Sequence, residues 1–321
     1  MSDQKIAIIG AGVAGAIASV ATSSYTPTVF EASQASGHTC FKRHKAVLRL
    51  RDPATASLLG CQVEAVTVQK MILFKDQLIS EPTITTNNLY SLKVSDTIQN
   101  KSIQDLGFCQ RYIIKDDIVP KGSVEYGCRV SRITPGRIEF ENRESFDYDI
   151  LISTIPLPAL LKICDITAKQ SFLTKQIGIL RGVLPDNFSK VHQTIYIPEH
   201  HYKTYRATLQ GSDIIFENIE SKPFDDVLHL NNERKELLKL FGLSWDCASK
   251  WTSTYQVAGK IIPIDDTARR SLIYRLTDEF NIFSFGRYAI WKQVRIDNLV
   301  ADIEKIKKMI RSKYETSKER T

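Results

Sequence analysis

A glycine-rich turn near the start of the chain restricts its fold more than any other part of the sequence. An apolar run at residues 6–9 leads into Gly10-Ala11-Gly12-Val13-Ala14-Gly15, and a stretch rich in small residues continues to residue 21. This pattern predicts a strand, a tight turn and a helix. Gly10 permits the turn, Gly12 lets the backbone approach a pyrophosphate, and Gly15 lets the helix pack closely on the strand. The pyrophosphate would lie at the positive end of that helix.

A second predicted strand, residues 28–31, ends in an acidic residue at the spacing expected of a dinucleotide site. Glu31 lies about 20 residues beyond the turn, where a carboxylate accepts hydrogen bonds from ribose hydroxyls. A carboxylate there also argues against a cofactor with a 2′-phosphate, which would favour an arginine. The alternative is a glycine turn used only for packing. The residues expected to hold the adenosine and pyrophosphate are Gly10, Gly12, Val13, Ala14, Gly15, Glu31 and Ala32.

Composition indicates an ordinary soluble globular protein of about two domains. The chain has 321 residues, of which 43% are hydrophobic and 25% charged. No stretch approaches the roughly 18 apolar residues of a membrane span, and the first residues lack a signal sequence, so we expect a cytoplasmic protein with no membrane partner. Six scattered cysteines with no CxxC indicate reduced thiols and no metal site.

The formal net charge of +7 bears on the class of partner. Such a charge favours a small-molecule substrate that is anionic, such as a sugar nucleotide, and leaves nucleic acid open as a partner. Much of the excess lies in the C-terminal helix at residues 305–313, where a solvated helix face is the alternative explanation.

Further residues expected to contact the cofactor come from four later segments. Gly37, His38 and Arg43 follow Glu31 in a polar stretch, where glycine lets backbone pass close to phosphate and arginine offers a charge. Residues 123–133 alternate as a strand that contains Val130, and they pair with residues 137–140 across a turn. Residues 146–156 form a polar lead and a continuous apolar strand, typical of a parallel sheet covered on both faces, and end at Thr154 near the expected ligand edge.

The last of these segments returns to the first domain. A strand at residues 282–285 is followed by Gly286 and Arg287, and then by a helix from about residue 299 to residue 314. Its N-terminus, near residues 294–298 and including Val294, would face a second part of an extended cofactor.

Between these pieces lies a segment of different character. Residues 173–184, 191–198, 202–209 and 213–218 read as successive antiparallel strands, a sheet that could line a substrate pocket. Candidate pocket residues on it are Tyr196 and Arg206, together with His192 and Tyr205; each could equally face outward. The predicted domains are 1–62, 110–165 and 260–321 for the cofactor, and 63–109 and 166–259 for a substrate or cap domain.

At this point the sequence resembles the large flavoprotein family that includes UDP-galactopyranose mutase, amine oxidases and protoporphyrinogen oxidase. The resemblance is carried by the glycine turn with Glu31, by Ser36-Gly37-His38, by residues 148–156 and by Phe285-Gly286-Arg287-Tyr288. Gly286, Arg287, Tyr288, Trp291 and Asp297 resemble the mutase's late segment, which makes Trp291 a candidate substrate residue. The sequence departs from the family at the second glycine of a Gly-Gly pair, since Ser36 precedes Gly37.

The resemblance implies a fold class, a cofactor and two kinds of reaction. The expected fold is α/β, with a Rossmann-like FAD-binding domain split in sequence and a second α+β domain built on an antiparallel sheet. The dispersed cofactor domain favours FAD over NAD, and the residue matching Arg287 lies near the pyrophosphate or flavin in that family. We expect an FAD-dependent oxidoreductase that accepts a hydride at flavin N5 from an amine or similar C–H donor.

Three alternatives to this reaction stay open at the level of sequence. One is a mutase-like, redox-neutral reaction on a sugar nucleotide, and another is modification of a nucleic-acid base. The third is a flavin-binding protein without catalytic activity. The cofactor motifs do not distinguish among them, since all four use the same binding residues.

Overall fold

A computed structural model describes residues 4–34, 49–99, 103–116, 118–185, 188, 190–220 and 227–318 of the chain. Contacts divide the chain into two compact units. The first unit comprises Met1–Glu64, Tyr112–Phe172 and Ile264–Thr321, and the second comprises Ala65–Arg111 and Leu173–Pro263. Among the described helices, none combines the length and the apolar character needed to cross a membrane.

The strands and helices of the described residues alternate along the chain. The strands are β1 Ile6–Ile9, β2 Thr28–Phe30, β3 Arg49–Leu50, β4 Val63–Phe74, β5 Gln77–Ile79, β6 Gly107–Ile114, β7 Ser123–Glu125, β8 Val130–Thr134, β9 Arg137–Phe140, β10 Phe146–Asp147, β11 Ile150–Ser153, β12 Thr174–Val183, β13 His192–Tyr196, β14 Thr204–Gln210, β15 Asp213–Glu220, β16 Ser249–Ile261 and β17 Ile282–Ser284. The helices are α1 Val13–Ala21, α2 Ala54–Leu59, α3 Ile84–Ser95, α4 Leu157–Ile163, α5 Val227–Lys239, α6 Asp266–Phe280 and α7 Ile296–Lys318.

The first unit is built on a parallel sheet of five strands in the order β17-β11-β1-β2-β7. All its strand pairs are parallel, and β1 lies at the centre between β11 and β2. Because the chain moves from β1 to one side and later returns to the other, the order reverses beside β1. Ligands of such sheets bind at the carboxyl ends of the strands at this reversal.

Burial on both faces explains why the central strands are continuously apolar. On one face, Ile8 and Ile152 pack with Ile17 of α1 and Ile303 of α7. On the other face, Phe30 contacts Phe140 and Phe146 of a small antiparallel sheet, in the order β10-β9-β8. The predicted Rossmann-like, doubly covered arrangement is confirmed.

The second unit contains a curled sheet in the order β16-β12-β15-β14-β13-β4-β6, with β5 paired to β4. The β12 to β16 pairings are antiparallel, as predicted. One pairing is different: β13 pairs with β4 in the parallel sense, so the sheet is antiparallel over β12 to β16 and mixed as a whole. That pair joins segments far apart in sequence, and no local pattern specifies its direction.

The two faces of this sheet pack against different helices. One face carries Ile195, Leu209 and Phe216, which form an apolar cluster with Leu237 and Leu238 of α5. On the opposite face, a cluster of Ile72, Ile179 and Tyr205 packs with Tyr90 and Val94 of α3.

A buried lysine and a buried glutamate hold the loop between β13 and β14. The ammonium of Lys93 donates to the carbonyls of Ile197, Glu199 and Thr204, each at 2.8 Å. On the same loop, the carboxylate of Glu233 accepts from the amides of Lys203 and Thr204 at 2.8 Å. This loop is therefore fixed by charge-assisted hydrogen bonds to both its carbonyls and its amides.

One predicted strand differs from the observed elements. Residues 123–133 do not form one strand: β7 joins the parallel sheet and β8 the small sheet, because Gly127 breaks the run with φ +70°.

Candidate functional site: a glycine turn at the carboxyl edge of the parallel sheet

The glycine turn joins the end of β1 to the start of α1 at the carboxyl edge of the first sheet. Gly10 has φ +96°, a conformation that favours glycine, and its amide donates to the carbonyl of Phe30 at 2.8 Å. Gly12 is the N-cap of α1, and its carbonyl accepts from Ala16 at 2.9 Å. The unpaired amides of the first helical turn therefore face the space beyond the sheet edge.

The three glycines of the turn differ in how much room a side chain would have. A Cβ added at Gly10 would lie 2.1 Å from Oγ1 of Thr154, and one added at Gly15 would lie 1.8 Å from the carbonyl oxygen of Gly10. Both glycines are thus needed for the chain to pack on itself. A Cβ added at Gly12 would meet no heavy atom of the described residues within 4 Å.

Gly12 is also unstrained, because its backbone is extended at φ −74° and ψ −173°, which any residue can adopt. Neither packing nor conformation therefore explains a glycine at this position. A turn built for close approach of a pyrophosphate does explain it.

The carboxylate of Glu31 is held beside this turn by three hydrogen bonds. The amide of Ala11 donates to Oε2 at 2.7 Å, and the amide and hydroxyl of Ser33 donate to Oε1 at 2.9 Å. An ionised carboxylate has about four acceptor positions, so about one stays open for a ribose hydroxyl. A second hydroxyl would have to replace a bond from Ser33, a residue that the sequence prediction did not include. Ala32, between them, is exposed.

Two further predicted residues lie at the same turn, at the ends of neighbouring strands. Thr154 follows β11, and its hydroxyl donates to the carbonyl of Ile9 at 2.8 Å. Gly286 follows β17 with φ +97°, and a Cβ added there would lie 2.8 Å from Cβ of Ala14 on α1. The ends of β1, β11 and β17 are therefore packed together around the start of α1. Val13 is the first residue of that helix.

The structure places other predicted cofactor residues at more peripheral positions. Val130 is half-buried at the start of β8, two residues after Cys128, whose amide donates to the carbonyl of Glu31 at 2.8 Å. The guanidinium of Arg287 lies over the ring of Tyr288, 4.5 Å from its centroid, and also donates to its hydroxyl. Gly37, His38 and Arg43 lie outside the described residues.

Two side chains in the first turn of α7 accept hydrogen bonds from backbone amides outside the helix. Asn298 Oδ1 accepts from the amide of Arg295 at 3.2 Å, and Asp297 accepts from the amide of Arg51 at 3.3 Å. Burial raises the pKa of Asp297 above its ordinary value. Val294 precedes this helix and packs against the apolar core of the first unit.

The candidate substrate residues do not share one environment. Trp291, in the first unit, is 3% exposed and packs edge-on against Phe172, with ring centroids 5.2 Å apart. Phe172 also lines an open cavity of about 410 Å³ beside α4. In the second unit, Tyr196 and Arg206 lie directly opposite each other on β13 and β14.

Arg206 belongs to a charged cluster that the sequence did not reveal. Its guanidinium forms a bidentate pair with the carboxylate of Glu217 on β15, with Nη2 2.6 Å from Oε1. The hydroxyl of Tyr205 donates to the same Oε1 at 2.9 Å. Glu217 interrupts the apolar residues Ile215 and Ile219 on one face of β15, and this interruption was the available sequence signal.

Metal ligands and disulfides were not expected from the sequence. Across the residues whose placement is described, no three His, Cys, Asp or Glu side chains are grouped as metal ligands would be. The five cysteines within those residues, Cys61, Cys109, Cys128, Cys164 and Cys247, are free thiols.

Comparison with known proteins gives no match at the level of sequence, either to a family model or to a curated protein. Solved structures do match the fold. Reduced UDP-galactopyranose mutase has a TM-score of 0.68 and 16% identity over 95% of this chain and 94% of that chain. A fatty acid isomerase from P. acnes that produces CLA has a TM-score of 0.62 and 12% identity, covering 95% and 98% of the two chains.

A third similar structure is a protein from Exiguobacterium sp. 255-15, provisionally named a protoporphyrinogen oxidase. It has a TM-score of 0.60 and 11% identity over 95% of this chain and 99% of that chain. At such identities the likeness shows the fold alone. The chain has the fold that these proteins share, which the sequence resemblance to the mutase and oxidase family predicted.

Proposed function

We propose that this chain is an FAD-dependent enzyme whose glycine turn binds the ADP half of the cofactor. The observation that carries the proposal is Gly12, a glycine that neither packing nor backbone strain requires. Its open side lies at the N-terminus of α1, where helix amides favour a pyrophosphate. The pyrophosphate itself is the simplest reason for a residue without a side chain.

FAD rather than NAD is supported by how the first unit is assembled. Its parallel sheet takes strands from residues 6–30, 123–125, 150–153 and 282–284, and the second unit is formed by intervening chain. Nucleotide domains of NAD dehydrogenases are usually contiguous in sequence, as the βαβαβ halves of the Rossmann fold are. Glu31 in place of an arginine argues against a 2′-phosphate on the cofactor.

Each residue at the turn then has a separate task. Glu31, held by Ala11 and Ser33, accepts a hydrogen bond from the ribose. The amides of the first turn of α1 donate to the pyrophosphate, and Gly12 leaves room for it. Thr154 and Gly286 hold the ends of β11 and β17 against this turn. We retain as further contacts Val13, Ala32, Gly37, His38, Arg43, Val130, Arg287 and Val294.

When bound, FAD supplies a ring that can take up a hydride from a substrate C–H bond. The favoured activity is therefore oxidation of an amine or similar C–H donor. The protein's part in such a reaction is to orient the donor carbon and exclude water.

A second candidate, a redox-neutral rearrangement, is favoured by one specific observation. Two of the three similar structures described above are named a mutase and an isomerase. Reactions with such names rearrange a substrate without net oxidation. A sugar nucleotide is the substrate class that we assign to this alternative.

Anaerobic incubation of the FAD-saturated protein with panels of amines and of sugar nucleotides distinguishes the two candidates. Loss of the oxidised flavin absorption on mixing with an amine supports the oxidoreductase. Product formation only after prior chemical reduction, with no net change in flavin absorption, supports the rearrangement. Gly12→Ala is the matched control, since it removes the cofactor site without disturbing the fold.

A further inference from the structure

A half-buried ion pair lies at the centre of one sheet face in the second unit. Arg206 of β14 pairs with Glu217 of β15, and their side chains are 35% and 13% exposed. Their neighbours across the sheet are Tyr196 on β13 and Ile179 on β12. Because removing two charges from water is costly, such a pair is a weak source of stability, and apolar side chains would serve the fold equally well.

The pair leaves one edge of the guanidinium available. A guanidinium has five N–H donors, and Glu217 accepts from Nε and from Nη2. No described residue accepts a hydrogen bond from Nη1. The edge formed by Nη1 and the second N–H of Nη2 can therefore hold a second oxyanion in the parallel, bidentate geometry that arginine favours.

The orientation of this edge is fixed by Glu217 and Tyr205. The hydroxyl of Tyr205 donates to Oε1 of Glu217 at 2.9 Å, and the carboxylate in turn holds the guanidinium in its plane. The ring of Tyr205 contacts Tyr90, with centroids 6.2 Å apart, and Tyr90 contacts Tyr196 at 5.5 Å. Packed aromatic rings thus limit the movement of the residues that orient Arg206.

A second cation, Lys260, lies beside the same cluster. The ammonium of Lys260, from β16, lies 4.6 Å from the centroid of the Tyr205 ring, and the guanidinium carbon of Arg206 lies 5.8 Å from it. Although burial opposes ionisation of Glu217, the charges of Arg206 and Lys260 keep its pKa below the ordinary value. Two cations and one carboxylate therefore surround the same ring.

We propose that Arg206 and Lys260 bind a carboxylate or phosphate group of the substrate, with Glu217 and Tyr205 as positioning residues. The assignment of this group to a substrate rests on the proposed function. Binding of an oxyanion to the second unit can be tested separately from it.

The test is equilibrium dialysis of FAD-saturated protein against labelled inorganic phosphate and, separately, labelled succinate. We expect saturable binding of at least one of the two anions. Lys260→Gln leaves the Arg206–Glu217 pair intact, and it should raise the Kd about tenfold or more. Lys239→Gln is the control, because it also removes one positive charge from this unit, at a residue 67% exposed on α5.

Further variants address the pair itself. Arg206→Gln alone leaves Glu217 buried without its partner, so the double variant Arg206→Gln/Glu217→Gln is used, and it should also weaken binding about tenfold or more. Tyr205→Phe should weaken anion binding while the unfolding midpoint changes little, which a purely structural role would not produce.

The pattern of results separates the two proposals. No saturable binding of either anion, or equal binding in the wild type and the Lys260 and Arg206 variants, overturns the oxyanion site. Variant-sensitive anion binding in a protein that takes up no FAD supports the site and contradicts the proposed function. Tighter binding of phosphate than of succinate assigns the group as a phosphate, and the reverse assigns it as a carboxylate.

Discussion

Adding a single methyl group at Gly15 should destabilise the fold. The same change at Gly12 should leave the fold stable and weaken cofactor binding. Within the described part of the chain, the added Cβ at Gly12 meets no atom closer than 4 Å, whereas at Gly15 it lies 1.8 Å from the carbonyl oxygen and 2.9 Å from the carbonyl carbon of Gly10. Backbone atoms cannot move aside as a flexible side chain can. The two variants therefore separate what the fold requires from what a ligand requires.

The expected stability changes follow from these distances. Gly12→Ala should change the free energy of unfolding by less than about 1 kcal/mol, because the lower entropy of the unfolded chain offsets the poorer N-cap. Gly15→Ala forces α1 away from the turn and should cost about 3 kcal/mol or more. Urea denaturation of the two cofactor-free variants measures both values.

Although Gly12→Ala should change stability little, it should weaken FAD binding strongly. A methyl group there would fill the space in which the pyrophosphate approaches the amides of α1. Loss of two charge-assisted hydrogen bonds, at about 1.5–3 kcal/mol each, corresponds to a Kd for FAD at least about a hundredfold higher. Fluorescence titration with FAD measures this change.

Two results would refute this reasoning. If Gly12→Ala binds FAD as tightly as the wild type, the open side of Gly12 is not a cofactor site. If Gly12→Ala is as unstable as Gly15→Ala, the loss of binding reflects damage to the fold instead of a clash with the ligand.

Three more changes test other parts of the structure. Glu31→Gln should raise the Kd for FAD about tenfold in the same titration, because one of the two oxygens becomes an NH2 group, which cannot accept the hydrogen bonds that Ala11 or Ser33 now donates to that oxygen; unchanged affinity would exclude ribose recognition by this residue. Gly286→Ala should lower the thermal midpoint by several degrees, since the new Cβ would lie 2.8 Å from Ala14, and an unchanged midpoint would contradict that packing. Burial lowers the pKa of Lys93 to about 7, so between about pH 7 and 10 the unfolded chain binds more protons, and the free energy of unfolding should rise with pH. Lys93→Met should flatten that rise in denaturation curves across this range, and an equally steep rise would assign it to another group.

The glycine turn was predictable from sequence because its determinants are local. The order of glycines reports a strand, a turn and a helix directly, and the spacing to Glu31 follows from one βαβ unit. Thr154 and Gly286 were identified in the same way, since each ends an apolar strand. Their convergence on the turn follows from a parallel sheet, which continuous apolar strands indicate.

The second unit was less predictable, because its arrangement depends on pairings between distant segments. Alternation identifies a strand but gives neither its partner nor its direction, so the parallel pairing of β13 with β4 was missed. The Arg206–Glu217 pair depends on the register of β14 against β15, which shifts between Thr204 and Arg206. A register shift of this kind leaves no periodic pattern of residues from which it could be predicted.

Titration of the purified protein with FAD distinguishes a cofactor site at the glycine turn from a turn used only for packing. We expect a yellow protein, or one that becomes yellow on addition of FAD, with saturation at one FAD per chain and loss of uptake in Gly12→Ala. A colourless protein that fails to take up added FAD, while its unfolding curve shows an intact fold, would contradict the cofactor site.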